Sequence, residues 1–592
     1  MLLLGFATGL LPRARIGRLS ALPLAGLAAL ALVTVFALSW TQSDERTVNE
    51  LARVLHHAGV VVLVLALIDP VTWRPAAAGL TAGAVLVSLA ALASRLAPGF
   101  FPVDAVNRVF PGNRLNYPLG YWNAIAAWSA MAAALAVGWS AHARSLAARA
   151  LALAPVPAII GATYLCYSRG GVIAVAAGLL ALLLLAPARG VVLVHAAVAA
   201  AGSALVIGAI RSEPEIALNT GTAGAGHILA FALLGAAFCA AVAAITGALR
   251  LERYLRLPQR AGLPAAAATA VLLLIAGIVA GPPLVNRGLD SLRSAPPAVS
   301  ADDPAQRLRS LSSARYQHWQ AALDSYSDEK IHGTGPGTFE FSWDRSRHYT
   351  GYVRDTHSLY LELLAETGWL GLLSALLFVA GTLAAGGRAL FVLRGRPEAG
   401  VVASLLAAWS VFVVFAGFDW VWEATAVAAL GLAAAALAMA ATASAARPRT
   451  RLPVRLALAL LALVIGLTQL PGLVSTSKVR SSQAAVRTGD LRLALGDAED
   501  AVASSPWAAT PFVQRALILE LAGKLPAARA DLLRAREREP TNYRHPLLLA
   551  RVEAELGRPA AAVAAYRAAR ALAPRKAVFG NAALAPAQPE EP

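Results

Sequence analysis

Apolar runs of about 17 to 25 residues recur along this chain, and no other feature limits its fold so sharply, because an α-helix of about 20 residues crosses a bilayer core of about 30 Å. They lie near residues 20–40, 53–69, 76–96, 121–140, 147–166, 171–187, 190–210 and 224–249, then near 265–282, 359–385, 400–418, 421–442 and 453–473. The run 2–11 is too short to span and reads as an interfacial or cytoplasmic start. The expected fold is all-α: a polytopic membrane helical bundle of about 12–13 spans over residues 1–475, carrying a long external loop near 283–357, followed by a separate helical domain over 476–592.

Composition agrees with this. Of 592 residues, 58% are hydrophobic and 14% charged, which does not suit one soluble core. A formal charge of +17 would raise nucleic-acid binding in a soluble protein. Here the arginines fall in short clusters between apolar runs, so no nucleic-acid partner is expected. Cytoplasmic loops carry the Lys and Arg excess. One side takes Arg13, Arg15 and Arg18, then Arg74, Arg144, Arg189, the cluster from Arg250 to Arg260, Arg388 to Arg396, and Arg447 to Arg455. The other takes the acidic loop from Asp44 to Glu50, the Pro/Gly-rich loop 97–120, the Glu213 and Glu215 loop, and the short turn with Asp419 and Glu423. This alternation predicts a cytoplasmic N-terminus in a multi-pass cell membrane protein, with loop 283–357 and everything after about 474 outside. The run 21–40 is long enough to span rather than be trimmed as a signal. Cys166 and Cys239 both sit in apolar stretches, which supports neither a disulfide framework nor a thiolate metal site.

After residue 474 an internal repeat appears. Gly489, Gly523 and Gly557 are 34 residues apart, as are Pro506, Pro540 and Pro574, while Ala494, Ala528 and Ala562 keep the same step with Ala501, Ala535 and Ala569. Thirty-four residues is the tetratricopeptide period, and the segment GRPAAAVAAYRAARALAP resembles the second-helix half of that repeat. Two and a half to three such repeats, the number that can bury a shared core, read as a protein-binding or spacing module without chemistry.

The chemistry belongs in the external loop. Long ordered loops are functional more often than not, and this one carries Tyr316, Trp319, Tyr326, Phe339, Phe341, Trp343, Tyr349 and Tyr352, enough aromatic surface for a small helical lid or a sugar groove. Two blocks stand out: SSARYQHWQAALDSYSDEKIHGTGPGTFEFSW over 312–343 and DTHSLYLELLAETGWLGLL over 355–373. They resemble the O-antigen ligase and polymerase superfamily, whose members carry an Arg with Trp or Leu four residues on, a Gly-x-Gly turn, and a His-Ser/Asn followed by Gly-x-x-Gly at the mouth of a span. His357, Ser358, Gly368 and Gly371 match the last pattern. YSRGGV over 167–172 and RLNYPLGYWNAIA over 114–126 extend the resemblance.

The resemblance implies transfer of glycan from an undecaprenyl-pyrophosphate-linked donor to the hydroxyl of a lipid or glycan acceptor, without a cofactor. His357, where the loop meets the next apolar run, has the pKa range of a base that takes the acceptor's proton. Arg169 and Arg315 are the expected pyrophosphate clamps, since a guanidinium grips phosphate bidentately. Arg347 and Arg354 match no motif, Glu366 is a weaker candidate, and Asn113, Asn116 and Asn123 are candidates to shape the acceptor site. Gly333, Gly335 and Gly337 read as turn residues, because no strand precedes them and no Lys-Ser/Thr follows. HExxH, DxD and Cys/His ligand sets are absent from the sequence, so arginine rather than a metal is expected to offset charge on the leaving pyrophosphate. Polymerisation of repeat units would use the same residues. A transporter or scaffold of lipid-linked sugars is the competing class, disfavoured by spans almost free of charge.

Overall fold

The computed structural model describes residues 18–102, 112–255, 304–309, 315–346, 352–442 and 452–579, together with Gly5. The expected span at 265–282, the rest of the short run 2–11 and Arg347 lie outside them. Among the described residues every regular element is helical.

The apolar runs fold as α1 (Ala21–Ala37), α2 (Asp44–Leu67), α3 (Trp73–Leu96), α4 (Trp122–His142), α5 (Leu146–Leu153), α6 (Val156–Leu165), α7 (Arg169–Leu185), α8 (Arg189–Ser212), the short α9 (Pro214–Leu218) and α10 (Ala225–Ala248). Two loop helices follow, α11 (Arg315–Asp328) and α12 (Phe339–Ser346), then α13 (Leu359–Val392), α14 (Glu398–Ala416), α15 (Thr425–Ala440) and α16 (Leu452–Arg487). Nine helices among the described residues are long and apolar enough to cross a membrane, counting Leu146–Leu165 as one. Three shorter apolar helices, α1, α7 and α15, occupy runs expected to span. The run 147–166 breaks into α5 and α6 at Pro155, which sits at the start of α6 without an amide N–H to give to the preceding turn. The run at 421–442 loses its first residues to a turn that begins after Ala416, and that turn carries the candidate site.

Close packing of small residues sets the bundle. Helix α4 is buried over most of its length between α14, α7, α3 and α6. A Cβ on Gly138 would strike Ser404 and Leu182, and one on Gly178 would lie 2.7 Å from Val411. Without a hydrophobic drive between helices in lipid, such contacts supply the association. Helix α13 packs along α1 and bends at Gly368, whose backbone is left-handed (φ 63°) within the merged helix. The turn at Gly333, Gly335 and Gly337, all with positive φ, lies against this bend. The expectation of turn glycines is met in their geometry.

Past α16 the chain forms α17 (Leu491–Ser504), α18 (Thr510–Leu521), α19 (Leu525–Arg538), α20 (Arg544–Glu555) and α21 (Pro559–Leu572). The 34-residue step is visible in the backbone: Gly489, Gly523 and Gly557 each follow a helix in the left-handed region, where glycine alone avoids a Cβ penalty. Ala494, Ala528, Ala501, Ala535 and Ala569 are fully buried where successive helices approach. These helices are not detached from the rest. They dock on α12 and on the N-terminal end of α2, a contact the repeat pattern gave no reason to expect.

Candidate active site

The turn between α14 and α15 places Asp419 at the centre of the site, and the carboxylate is 1% exposed. Its Oδ2 accepts from Arg315 Nη2 at 2.8 Å and from Asn123 Nδ2 at 2.6 Å. Its Oδ1 lies 3.3 Å from His357 Nδ1 and accepts from the Tyr121 hydroxyl at 3.0 Å and from the Trp420 amide at 2.9 Å. Burial opposes ionisation of this carboxyl, but the Arg315 charge and the hydrogen bonds from His357 and Tyr121 outweigh it and hold the group below the usual carboxylate range. An ionised carboxylate only accepts, so His357 Nδ1 carries the proton facing it. In the tautomer with Nδ1–H, Nε2 is the accepting nitrogen.

His357 is held as tightly in its backbone. It adopts φ 56°, a left-handed conformation costing a non-glycine residue roughly 1–2 kcal/mol. The neighbouring Thr356 overdetermines it: its amide donates to buried Glu362 at 3.0 Å and its hydroxyl to the Ser358 carbonyl at 2.7 Å. Strained residues held this way cluster at functional sites. On its other side the His357 ring stacks on His318 with centroids 5.3 Å apart, and His318 meets the edge of Trp343 at 4.8 Å. Burial, then the His357 and Arg315 charges, push the His318 pKa well below its ordinary value. His318 is therefore a neutral face at neutral pH and does not compete for the proton.

Arg169 opens α7 after Ser168, whose hydroxyl caps the helix by accepting from the Gly171 amide. Two glycines follow it for a steric reason. A Cβ on Gly170 would lie 3.2 Å from Phe415 of α14, and one on Gly171 would lie 3.0 Å from Ala126 of α4. Phe415 stands four residues before Asp419 and Ala126 three after Asn123, so the N-terminus of α7 is at the same end of the bundle as the Asp419 network. Arg114 joins the two. Buried against the Trp122 ring, it donates to the carbonyls of Cys166 and Tyr167 at 2.8 and 3.2 Å and reaches Asn123 Oδ1 at 3.4 Å.

Of the expected residues, His357 and Arg315 meet directly on Asp419, whereas Arg169 starts α7 at the same end of the bundle. Asn123 belongs to the network. Asn113 lends only its carbonyl, to Arg95, and Asn116 lends its own to Gly120. Glu366 accepts from the Gly337 and Phe339 amides at 2.7 and 2.9 Å, so it ties the glycine turn to α13. Arg354 is exposed.

Asp419 and Arg114 were missed as site residues. Asp419 had a signal, an acidic residue in a very short turn between apolar runs, but it was read only as topology. Glu423 in the same turn is treated oppositely: burial, then the nearby Asp355, push its carboxyl up to about 8. One short turn thus holds an ionised and a protonated carboxyl at neutral pH. Beneath it, Leu359, Tyr360, Trp409, Phe412, Ala416 and Trp422 line part of a narrow apolar crevice of about 20 Å³ between α1, α13 and α14.

Residues 154–376 match the family model for O-antigen ligase. The matched segment includes Arg169, Arg315 and His357 and stops before Asp419. It supports the O-antigen ligase superfamily and, in general terms, a membrane protein that ligates or polymerises glycan from a lipid-linked donor to an acceptor. A comparison with curated proteins found no match.

Proposed function

We propose that the chain transfers glycan from an undecaprenyl-pyrophosphate-type lipid to an acceptor hydroxyl at the outer face of the membrane, with His357 as base and Arg169 and Arg315 at the pyrophosphate. The observation that carries this reading is the buried Asp419 carboxylate shared by His357 and Arg315. A carboxylate on Nδ1 orients the imidazole and stabilises the imidazolium formed when Nε2 accepts the acceptor's proton. The acceptor oxygen then bonds to the anomeric carbon as the bond from that carbon to the pyrophosphate oxygen breaks, and the lipid pyrophosphate leaves with the bonding pair. Guanidinium groups beside it offset the charge gathered there.

The helices after residue 488 read in this account as tetratricopeptide repeats on the outer side. The family model fits ligation and polymerisation alike; ligation is the reading put to the test. The test uses the full-length protein in liposomes with a lipid-pyrophosphate-linked glycan and a hydroxyl acceptor, in excess EDTA. Glycosylated acceptor and free lipid pyrophosphate should appear in equal amounts, whereas lengthening of the donor glycan without acceptor consumption would assign polymerisation. No transfer of either kind would remove the enzyme reading.

A further inference from the structure

The C-terminal helices touch the remainder of the chain through buried charge. Glu340 on α12, 1% exposed, pairs on one side with Arg46 of α2 at 2.8 Å and on the other with Arg544 of α20 at 2.6 Å. Asp344, one turn along α12, pairs with Lys576 beyond α21 at 3.1 Å. Ser43 donates to Glu539 at 2.6 Å, and the Thr510 amide donates to Glu45 at 2.9 Å. Helix α12 is thereby gripped between the repeats and the membrane helices. Its adjoining face is the one that matters to the site. Phe339 and Trp343 are buried with Ala321, Ala322, Val353 and Ala365, Trp343 meets His318 edge-on, and His318 stacks on His357.

We propose that the C-terminal repeats are a working part of this site: through Glu340 and Asp344 they hold α12, and with it Trp343 and His318, in the register that seats the His357 ring against Asp419. Glu340 and Asp344 are positioning residues, acting through His318. The effect on transfer rests on the reading of His357 as the base, whereas the seating of the ring does not. Breaking one partner of a buried ion pair leaves the other charge uncompensated, and α12 relaxes away from α11.

The charge pair Asp344 and Lys576 gives the test, in full-length protein reconstituted in liposomes. Asp344→Lys and Lys576→Asp are made singly and together. Two readouts are taken: kcat and KM for the lipid-linked donor, and the rate at which diethyl pyrocarbonate modifies His357, followed by mass spectrometry. Each single variant should lower kcat roughly tenfold to a hundredfold, the scale of a displacement of about 1 Å, with KM nearly unchanged and faster His357 modification. The double variant should restore both. Wild-type kcat and modification rate in the single variants overturn the proposal, and so does a double variant no better than either parent. Restored modification rates in a protein that transfers no glycan would uphold the seating of His357 and remove the transferase reading instead. Helical content and elution of each detergent-solubilised variant identify any that fail to fold, in which case the milder Asp344→Asn and Lys576→Gln carry the same comparison.

Discussion

Asp419 decides the chemistry at the level of single residues. Its carboxylate fixes the Nδ1–H tautomer of His357, so Asp419→Asn should leave the ring in place but remove its tautomer control and the charge that stabilises the imidazolium. The expected result is a loss of kcat on the order of 10² or more. A wild-type rate in that variant would mean that Asp419 serves only packing. Arg169→Lys keeps the charge but not the planar fork, and should weaken both donor affinity and rate; full activity in the Lys variant would show that a point charge suffices. His357 and Arg169 stand out in the sequence because each sits in a short motif beside an apolar run, and Arg315 because it lies in a motif of the long loop. Asp419 carries only the signal of an acidic residue in a short turn, because its role depends on that turn bringing three distant segments to one carboxylate.

Helices and turns account for where these side chains meet. Gly170 and Gly171 let α7 approach α14 and α4, and the bend at Gly368 lets α13 pass the glycine turn. The positions of most helices could be read in advance because hydropathy reports length directly. Their ends could not, since Pro155 and the turn after Ala416 interrupt runs that are continuous in composition. The docked face of the repeats was equally hidden, because the 34-residue step specifies contacts within the module and says nothing about its neighbours. That interface also gives a pH prediction. Glu539 is buried, which disfavours its charge, yet the hydrogen bond from His545 and the Arg46 charge hold its pKa down to about 2. A carboxyl depressed in the folded state stabilises fully above its unfolded value of about 4.3, and that contribution, on the order of 3 kcal/mol, is lost as pH falls from there through about 2. Protection factors in α12 and α20, which divide out the intrinsic pH dependence of amide exchange, should therefore match at pH 7 and pH 5 and fall below about pH 4. Glu539→Gln should show the lowered protection already at pH 7, and equal protection in that variant would contradict the assignment.

For the whole molecule, the account requires loop helices, Asp419 turn and repeats on one side of the membrane, with the arginine clusters on the other. Reporters fused near residues 255, 391 and 449 should score cytoplasmic, and those near 110, 320 and 500 external; a cytoplasmic score at 320 would contradict the topology and the donor's access together. The central claim is that one base at this face performs the transfer, and His357→Ala tests it most directly when turnover and binding of the lipid-pyrophosphate donor are measured on the same liposomes. The account predicts that turnover falls by about 10² or more while donor affinity stays within about twofold, because a base acts on the acceptor. A His357→Ala protein that still transfers glycan at the wild-type rate would contradict it.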